Sequence, residues 1–318
     1  MTDGGRARVS ILTLNPSLDV AYEVAKLVPD EKVHARHFRY DPGGNGINVH
    51  HGLKKLGIDA QNFCIIAGEI GHMVQRIAGY HPDAIHFIQA EGETRISCAI
   101  IEDHHHCQYE MVGIGPAIDA ATLAEIERRF VDSCEDGDFA VITGSVPPCV
   151  PEDTYARLTE KLCARGVPVI VDASGVMLAD AVTKKPFLIK PNRHELEILC
   201  GRRLPEIADV VREARTLHGS GITYVCVSLG GEGAVLVGPE ASYLARPPRI
   251  TARSTVGAGD SMVAGLTAAL VEGRDAAHAL RLGLACGSGT ASKPGTELFD
   301  PENIQDVIDG ITVERLEG

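Results

Sequence analysis

The sequence lacks tryptophan, and phenylalanine and tyrosine together supply only 4% of its 318 residues. No apolar run approaches the roughly 18 residues that a membrane-spanning helix needs. Lysine and arginine occur at most in adjacent pairs, and the net charge is −13. We therefore expect no membrane and no nucleic-acid partner, since both would favour clustered basic residues or a long apolar segment.

Cysteine occurs nine times but never as a CxxC pair. The odd count and the position of most cysteines within apolar runs favour reduced, packed thiols over a disulfide framework. The polar first residues contain no apolar signal segment. These features predict a cytoplasmic protein.

Three widespread catalytic signatures are also missing: GxxxxGK[ST], HExxH and GxSxG do not occur. Their absence argues against a P-loop nucleotide hydrolase, a zinc protease and a hydrolase with a nucleophilic serine elbow.

Short apolar runs alternate with helical patterns along the chain. The runs at 9–15, 139–145, 167–174, 187–192 and 224–230 predict buried strands, and the segments at 121–136, 151–166 and 204–221 predict amphipathic helices. Nearly continuous apolar strands separated by helices favour a mostly parallel sheet covered on both faces. We predict a single α/β domain over residues 1–318.

Two segments depart from this alternation. Residues 16–42 carry little helical signal, and residues 94–113 are typical of a hairpin with a polar tip. We expect them to form a small β-sheet lid. The tip contains His104, His105 and His106, and neighbouring strand residues face opposite sides, so an exposed tip is a better interpretation than a three-histidine metal site.

The segment STVGAGDSMVAG places Gly257, Ala258 and Gly259 before an apolar helix that carries one acid, Asp260. Free backbone N–H groups at a helix start form an anion site, and glycines allow a ligand to come close to the backbone. An acid at such a site could take a proton from a hydroxyl during phosphoryl transfer. It could equally be a simple helix cap.

A second glycine cluster, DPGGNGINV, contains Gly43, Gly44, Asn45, Gly46 and Asn48 ahead of another predicted helix. Asparagine amides both donate and accept hydrogen bonds, which suits a ligand with vicinal hydroxyls. The alternative is an ordinary turn. The cluster does not follow the first strand of a βαβ unit, which argues against a dinucleotide fingerprint.

Two further motifs remain ambiguous on their own. In KPNRHELE, Asn192 and Glu195 are three residues apart at a helix start, where they could share a hydrated Mg²⁺ or form a capping pair. In SLGGEG, residues 228–233 end a strand in a glycine turn, which predicts either a hairpin or a nucleotide cradle.

Taken in order, these motifs resemble the PfkB family of ribokinase-like sugar kinases, and within it the 6-phosphofructokinase and tagatose-6-phosphate kinase branch. The resemblance covers nearly the whole chain and includes TLNPSLDVAY, ITGSVPP, IVDASG, IKPNRHELE and PGT besides the two glycine motifs. It implies a ribokinase-like fold and ATP- and Mg²⁺-dependent phosphorylation of a ketohexose phosphate. It also suggests a monovalent cation and a homodimer formed through the lid strands.

The resemblance assigns roles to individual residues. Asp260 would be the catalytic base, and the amides of Gly257, Ala258 and Gly259 would stabilise the transferring phosphate. The sugar and its phosphate would be held by Asp19, Lys32, Gly43, Gly44, Asn45, Gly46, Asn48, Arg95 and Ser145. The nucleotide would be held by Lys190, Asn192, Ser228, Leu229, Gly230, Gly231, Glu232 and Gly233, and the metal by Asn192 and Glu195.

The sequence departs from the family pattern at several positions. His34 stands where such phosphofructokinases tend to have a second phosphate-binding arginine, His50 stands where a small residue is usual, and the AGEIGHMVQ segment has fewer glycines. Fructose 1-phosphate, an unphosphorylated sugar or a nucleoside therefore remain alternative substrates. A catalytically silent sugar-phosphate sensor is the alternative of another class.

Overall fold

The computed structural model describes residues 7–79, 84–105 and 107–317. The strands in these ranges are β1 (Val9–Thr13), β2 (Ser17–Val24), β3 (His37–Gly43), β4 (Ala60–Ala67), β5 (Ile85–Ala90), β6 (Arg95–Glu102), β7 (Cys107–Val112), β8 (Phe139–Thr143), β9 (Val169–Asp172), β10 (Leu188–Ile189), β11 (Tyr224–Ser228), β12 (Ala234–Val237), β13 (Ser242–Arg246) and β14 (Thr312–Leu316). The helices are α1 (Asn45–Lys55), α2 (Gly68–Ile77), α3 (Ala120–Asp132), α4 (Thr154–Cys163), α5 (Gly175–Val182), α6 (Arg193–Cys200), α7 (Ile207–Gly219), α8 (Ala258–Val271), α9 (Ala276–Ala291) and α10 (Ile304–Gly310).

The larger sheet has the strand order β14-β13-β12-β11-β10-β9-β8-β1-β4-β5. Strands β11 through β5 in this order are parallel, whereas β12, β13 and β14 continue the sheet antiparallel. Strands β1 and β9 are buried along their whole length, as expected for strands covered by helices on both faces. The predicted α/β class with a mostly parallel sheet is confirmed, and each of the five predicted strands is present.

A second sheet of four strands has the order β3-β2-β6-β7, and we call it the lid. Its strands lie within the segments predicted to carry extra strands, except that β3 ends at Gly43, just past residue 42. The hairpin predicted over 94–113 is the antiparallel pair β6–β7. The division of the chain into one domain with this sheet as a mobile lid stays a prediction.

Helix α8 is buried along most of its length between α1 and α9. Small residues permit this close packing: a β-carbon on Gly265 would lie 2.8 Å from the Cα of Gly283 in α9, and one on Gly52 of α1 would lie 2.7 Å from the Ala264 Cβ. The close contact between α1 and α8 brings the first turns of the two helices together. This packing determines the geometry of the site described below.

All nine cysteines lie in the described ranges, where they form no disulfide, and four of them are fully buried. No helix in the described ranges has both the length and the apolar character needed to cross a lipid bilayer.

Candidate active site

A cavity of about 290 Å³ separates the lid from the first turns of α1 and α8. Eight of the residues that line it were predicted as site residues: Asp19, Gly44, Asn45, Asn48, Arg95, Ser145, Gly257 and Asp260. The other lining residues were not predicted, and most of them belong to lid strands: Ser17, Val20, Ser97, Cys98, Ala99, Glu110, Met111, Val112, Val256 and Thr296. The cavity therefore brings together motifs that are more than 200 residues apart in the sequence.

Asp260 is buried in the first turn of α8, which begins at Ala258, two residues before the start expected from the sequence. Its two carboxylate oxygens accept hydrogen bonds of 2.8 Å from the Asn45 and Asn48 side-chain amides on α1. The cap position belongs to Gly257, whose φ of 73° lies in the left-handed region that glycine tolerates. The interpretation of Asp260 as a helix cap is therefore wrong.

Burial raises the pKa of Asp260 to about 7, and the nearby Asp172 carboxylate adds to the effect. The Asn48 and Asn45 amides and the Lys190 ammonium favour the ionised form and oppose the rise. A pKa near the working pH is the property that suits a general base, because the group is available as a base and still takes up a proton readily.

Lys190 lies beside the start of α8 and forms a buried ion pair of 3.1 Å with Asp172 at the end of β9. Burial disfavours its charged form, but the Asp172, Glu195 and Asp260 carboxylates together outweigh this, and the pKa of Lys190 is raised. A β-carbon on Gly259 would lie 3.5 Å from Lys190 Nζ, so the ammonium is next to the helix start. Asp172 was not singled out from the sequence, although an acid at the carboxyl end of a parallel strand is a recognisable signal.

In the DPGGNGINV cluster, each glycine is needed for a different structural reason. A β-carbon on Gly43 would lie 2.2 Å from the Asp19 carboxylate, and one on Gly46 would lie 1.9 Å from Thr13 Oγ1. Gly44 caps α1 with a φ of 110°. The cluster is therefore a tight connection from β3 into α1 that leaves space for Asp19 and directs Asn45 and Asn48 to Asp260.

On the lid side, Asp19 accepts a hydrogen bond of 2.6 Å from the Ser17 hydroxyl, and burial raises the pKa of Asp19. Arg95 Nε donates to the Asn15 carbonyl at 3.1 Å, and burial lowers the pKa of Arg95 while Asp19 opposes that effect. Ser145 accepts a hydrogen bond from the Asn15 amide at 3.1 Å. An arginine retains its charge under these conditions, so the cavity wall presents a fork of cationic donors.

The residues expected at the nucleotide lie together at the ends of β10 and β11. Asn192 pairs with Ser228 as an isolated parallel bridge, and residues 230–232 form a short 3₁₀ turn between β11 and the antiparallel β12. Residues 228–233 therefore form a hairpin connection. Their role in nucleotide binding stays a prediction.

Asn192 and Glu195 form a capping box at the start of α6. The Glu195 N–H donates to the Asn192 side chain at 2.9 Å, and the Asn192 N–H donates to the Glu195 carboxylate at 2.8 Å. Burial raises the pKa of Glu195, with a contribution from Asp172. The capping interpretation is thus realised, and the proposed metal role would be an additional use of the same oxygens.

Some groups predicted to bind the substrate are not available in the cavity of this structure. Lys32 and His34 are exposed on the loop between β2 and β3 and do not line the cavity, because the chain leaves β2 away from the site.

The amide of Ala258 already donates to the Thr255 carbonyl at 3.3 Å, so Gly257 and Gly259 are the better anion donors of the three.

A buried acid with a pKa near 7, a lysine beside a glycine-capped helix start and an arginine across the cavity are the groups that phosphoryl transfer to an alcohol needs. The comparisons with known proteins agree with this class of enzyme. The model for the pfkB family of carbohydrate kinases matches residues 12–303, and the chain belongs to this family. The protein is an ATP-dependent sugar kinase.

Curated relatives extend over almost the whole chain. A 1-phosphofructokinase from Bacillus subtilis is 32% identical over 96% of this chain and 99% of its own length. The ATP-dependent 6-phosphofructokinase isozyme 2 of Escherichia coli is 33% identical over 94% of this chain and 97% of its own length. The crystal structure of Escherichia coli phosphofructokinase-2 with substrates and products has a TM-score of 0.91 and 32% identity, covering 95% of this chain and 99% of that one. The predicted family and fold are confirmed.

Proposed function

We propose that this protein transfers the γ-phosphate of ATP to a hydroxyl of fructose 6-phosphate or tagatose 6-phosphate and forms the 1,6-bisphosphate. The observation that supports the proposal is that Asp260 and Arg95 line the same cavity. A base next to an anion site can activate an alcohol, and an arginine in the wall of the same cavity can hold a phosphate that the sugar already carries.

In the proposed mechanism the acceptor hydroxyl lies against the Asp260 carboxylate, which the Asn45 and Asn48 amides hold in place. Its oxygen forms the new bond to the γ-phosphorus while the bond from that phosphorus to the β-phosphate oxygen breaks, and ADP leaves. The proton of the hydroxyl passes to Asp260. The Gly257 and Gly259 amides and Lys190 stabilise the negative charge on the transferring group.

The oxygen donors of Glu195 and Asn192 fit Mg²⁺ chemistry, since the ion prefers carboxylate and amide oxygens and retains several waters. When bound with ATP, the ion would neutralise charge on the phosphates. Residues 228–233 would lie beside the nucleotide. A monovalent cation is a further prediction, supported by the crystal structure of Escherichia coli phosphofructokinase-2 in complex with potassium.

A second substrate is favoured by a specific observation. The curated relatives include a 1-phosphofructokinase that is 32% identical over 96% of this chain. Fructofuranose carries a hydroxymethyl group on each side of the ring oxygen, so the 1-phosphate and the 6-phosphate give the same bisphosphate. The same cavity could therefore bind either sugar phosphate, if the fructofuranose ring is turned over so that its two hydroxymethyl positions exchange places.

The test is a measurement of kcat/KM with MgATP for fructose 6-phosphate, tagatose 6-phosphate, fructose 1-phosphate, fructose and a nucleoside, with the product identified by mass spectrometry. A clear preference for one of the 6-phosphates supports the proposal, and a preference for fructose 1-phosphate establishes the second candidate. Equal use of unphosphorylated fructose would contradict the role of Arg95. ATP hydrolysis without sugar should remain slow if the lid excludes water until sugar is bound.

We also propose a homodimer formed through the lid. Large apolar side chains are exposed on its strands and on the residue segment that follows β7: Phe38, Tyr40, Ile96, Tyr109, Met111, Val112 and Ile114. Exposed apolar patches of this kind mark interaction surfaces. A structure of Escherichia coli phosphofructokinase-2 is described as a tetrameric inhibited form, which supports assembly in this family.

A further inference from the structure

The hairpin tip of the lid holds three side chains with metal-ligating chemistry. Glu102 ends β6 and Cys107 begins β7, and the two residues are direct partners in the antiparallel register. His105 lies in the turn between them, and its Nδ1 is 2.7 Å from Glu102 Oε1. We propose that Glu102, His105 and Cys107 bind one Zn²⁺ ion at this tip.

The distances fit a tetrahedral ion with only small adjustment. Cys107 Sγ is 3.5 Å from Glu102 Oε2, and all three ligand atoms lie within 4.8 Å of one another. Ligand atoms around tetrahedral zinc are about 3.3–3.7 Å apart, given metal–ligand bonds of roughly 2.0–2.3 Å. The His105 side chain is 57% exposed, so it can move to close the site and leaves a path for the ion to enter.

The charges also favour an ion. The Glu102 side chain is only 1% exposed, and in the described ranges it forms no ion pair with lysine or arginine. Its hydrogen-bond donors include the imidazole of His105, the thiol of Cys107 and, at 3.4 Å, the hydroxyl of Tyr109. One Zn²⁺ ion with one carboxylate, one thiolate and one neutral imidazole carries no net charge. Binding would release the thiol proton, and the proton on His105 Nδ1 would move to Nε2 of the same ring. The Tyr109 hydroxyl would then orient the carboxylate from outside the ligand set.

The site differs from the histidine run that the sequence suggests. His104 stacks edge-on against His105 and is exposed, and His106 lies outside the described residues. The proposed ligands are instead Glu102 on β6, Cys107 on β7 and His105 in the turn. These three residues are adjacent only because β6 and β7 pair as a hairpin. The turn is also tied to the chain that leaves β2, since the Asp103 and His104 amides donate to the Val24 and Ala25 carbonyls at 3.1 Å. A bound ion would therefore stiffen the lid where β2 ends and the loop that carries Lys32 begins.

The test uses the full-length protein, stripped of metal and kept in excess Mg²⁺ to occupy the oxygen sites of the kinase. Titration with Zn²⁺ by calorimetry is expected to show one tight equivalent. Co²⁺ in place of Zn²⁺ is expected to give a thiolate charge-transfer band in the near ultraviolet. Cys107→Ser and His105→Ala should each weaken Zn²⁺ binding at least about tenfold, because a ligand of a three-residue set is lost.

Matched controls are Cys149→Ser, which removes an exposed cysteine elsewhere, and His104→Ala, which removes the neighbouring ring. Both should bind like the wild type. Identical Zn²⁺ titrations for the wild type and Cys107→Ser, or a cobalt band that survives Cys107→Ser, would overturn the proposal. If Cys107→Ser fails to fold, the exposed His105→Ala decides the question by the same titration.

Discussion

The large sheet and the lid present their side chains to the cavity in different ways. Asp260 in helix α8 and Lys190 just after β10 of the large sheet are buried, and each has hydrogen-bond or ion-pair partners on neighbouring elements. On the lid, Arg95 is held by the Asn15 carbonyl, but Glu110, Met111 and Val112 line the same cavity while remaining exposed. Groups held by buried partners are suited to transition-state chemistry, because little reorganisation is needed when charge develops. Exposed groups on a peripheral sheet are suited to recognition and assembly.

This comparison predicts that changes to the buried groups beside the large sheet lower kcat, whereas changes on the lid raise KM or alter assembly. The largest effect is expected for Asp260→Asn. Loss of the base should lower kcat by about 10²–10⁴-fold, with ATP affinity little changed. Steady-state kinetics and nucleotide titration of the purified variant provide the measurement.

The pH dependence of the free energy of unfolding provides a control that Asp260→Asn is folded. Burial raises the pKa of Asp260 to about 7. At pH values between the ordinary aspartate pKa and about 7, the folded protein therefore holds a proton that the unfolded chain has already released. The free energy of unfolding therefore falls as the pH rises through this range. The Asp260→Asn variant should not show this decrease in stability. It should be at least as stable as the wild type at pH 8, and near-wild-type turnover would rule out Asp260 as the base.

The pH dependence of kcat is the next largest effect. Since the base must be ionised, kcat of the wild type should fall by about tenfold per unit well below pH 7 and level off above it. The residual rate of Asp260→Asn should lack this step. A wild-type profile that is flat between pH 5 and 8 would contradict the role of Asp260.

On the lid side, Arg95→Ala should raise the KM for the sugar phosphate by about 10–100-fold, the loss expected for a hydrogen bond to a charged group. The KM for ATP and the rate with saturating sugar should change much less. Arg39→Ala is the matched control, because Arg39 lies on a lid strand but pairs with Asp41 and Glu297. Equal effects of the two substitutions would show that Arg95 has no special contact with the substrate.

A smaller effect is expected for Glu195→Gln. Glutamine can keep the capping box at the start of α6, so the melting temperature should not change, while the charge that would attract the metal is lost. The Mg²⁺ concentration for half-maximal activity should rise several-fold. An unchanged activation curve would leave Glu195 with its capping role alone.

The smallest effect on catalysis is expected for Phe38→Asp, which places a charge on the lid surface. Sedimentation should show a shift from dimer to monomer, with ATP affinity unchanged. Ile198→Asp is the control, since Ile198 on α6 is 58% exposed, close to the 64% of Phe38, but lies outside the lid. A monomeric wild type, or equal dissociation by both substitutions, would contradict the dimer proposal.

Several features were predictable from local patterns. The apolar runs at 9–15 and 139–145 are buried parallel strands because their composition suits burial on both faces. The hairpin at 94–113 followed from strand propensity and a polar turn. Helix boundaries were less predictable: α8 begins at Ala258 because Gly257 adopts a left-handed cap, which a glycine permits but does not require.

The fold class, the glycine motifs and the family resemblance could be inferred from the amino-acid sequence, because each depends on local composition and residue order. Three relations required the folded structure: Asp260 accepts hydrogen bonds from Asn45 and Asn48, Asp172 pairs with Lys190, and Lys32 does not line the cavity. These relations join residues that are distant along the chain, and they depend on how helices α1 and α8 pack and where the lid strands pair. The pKa of Asp260 near 7 belongs to the same group, since burial by the whole fold raises it and no neighbour in sequence does.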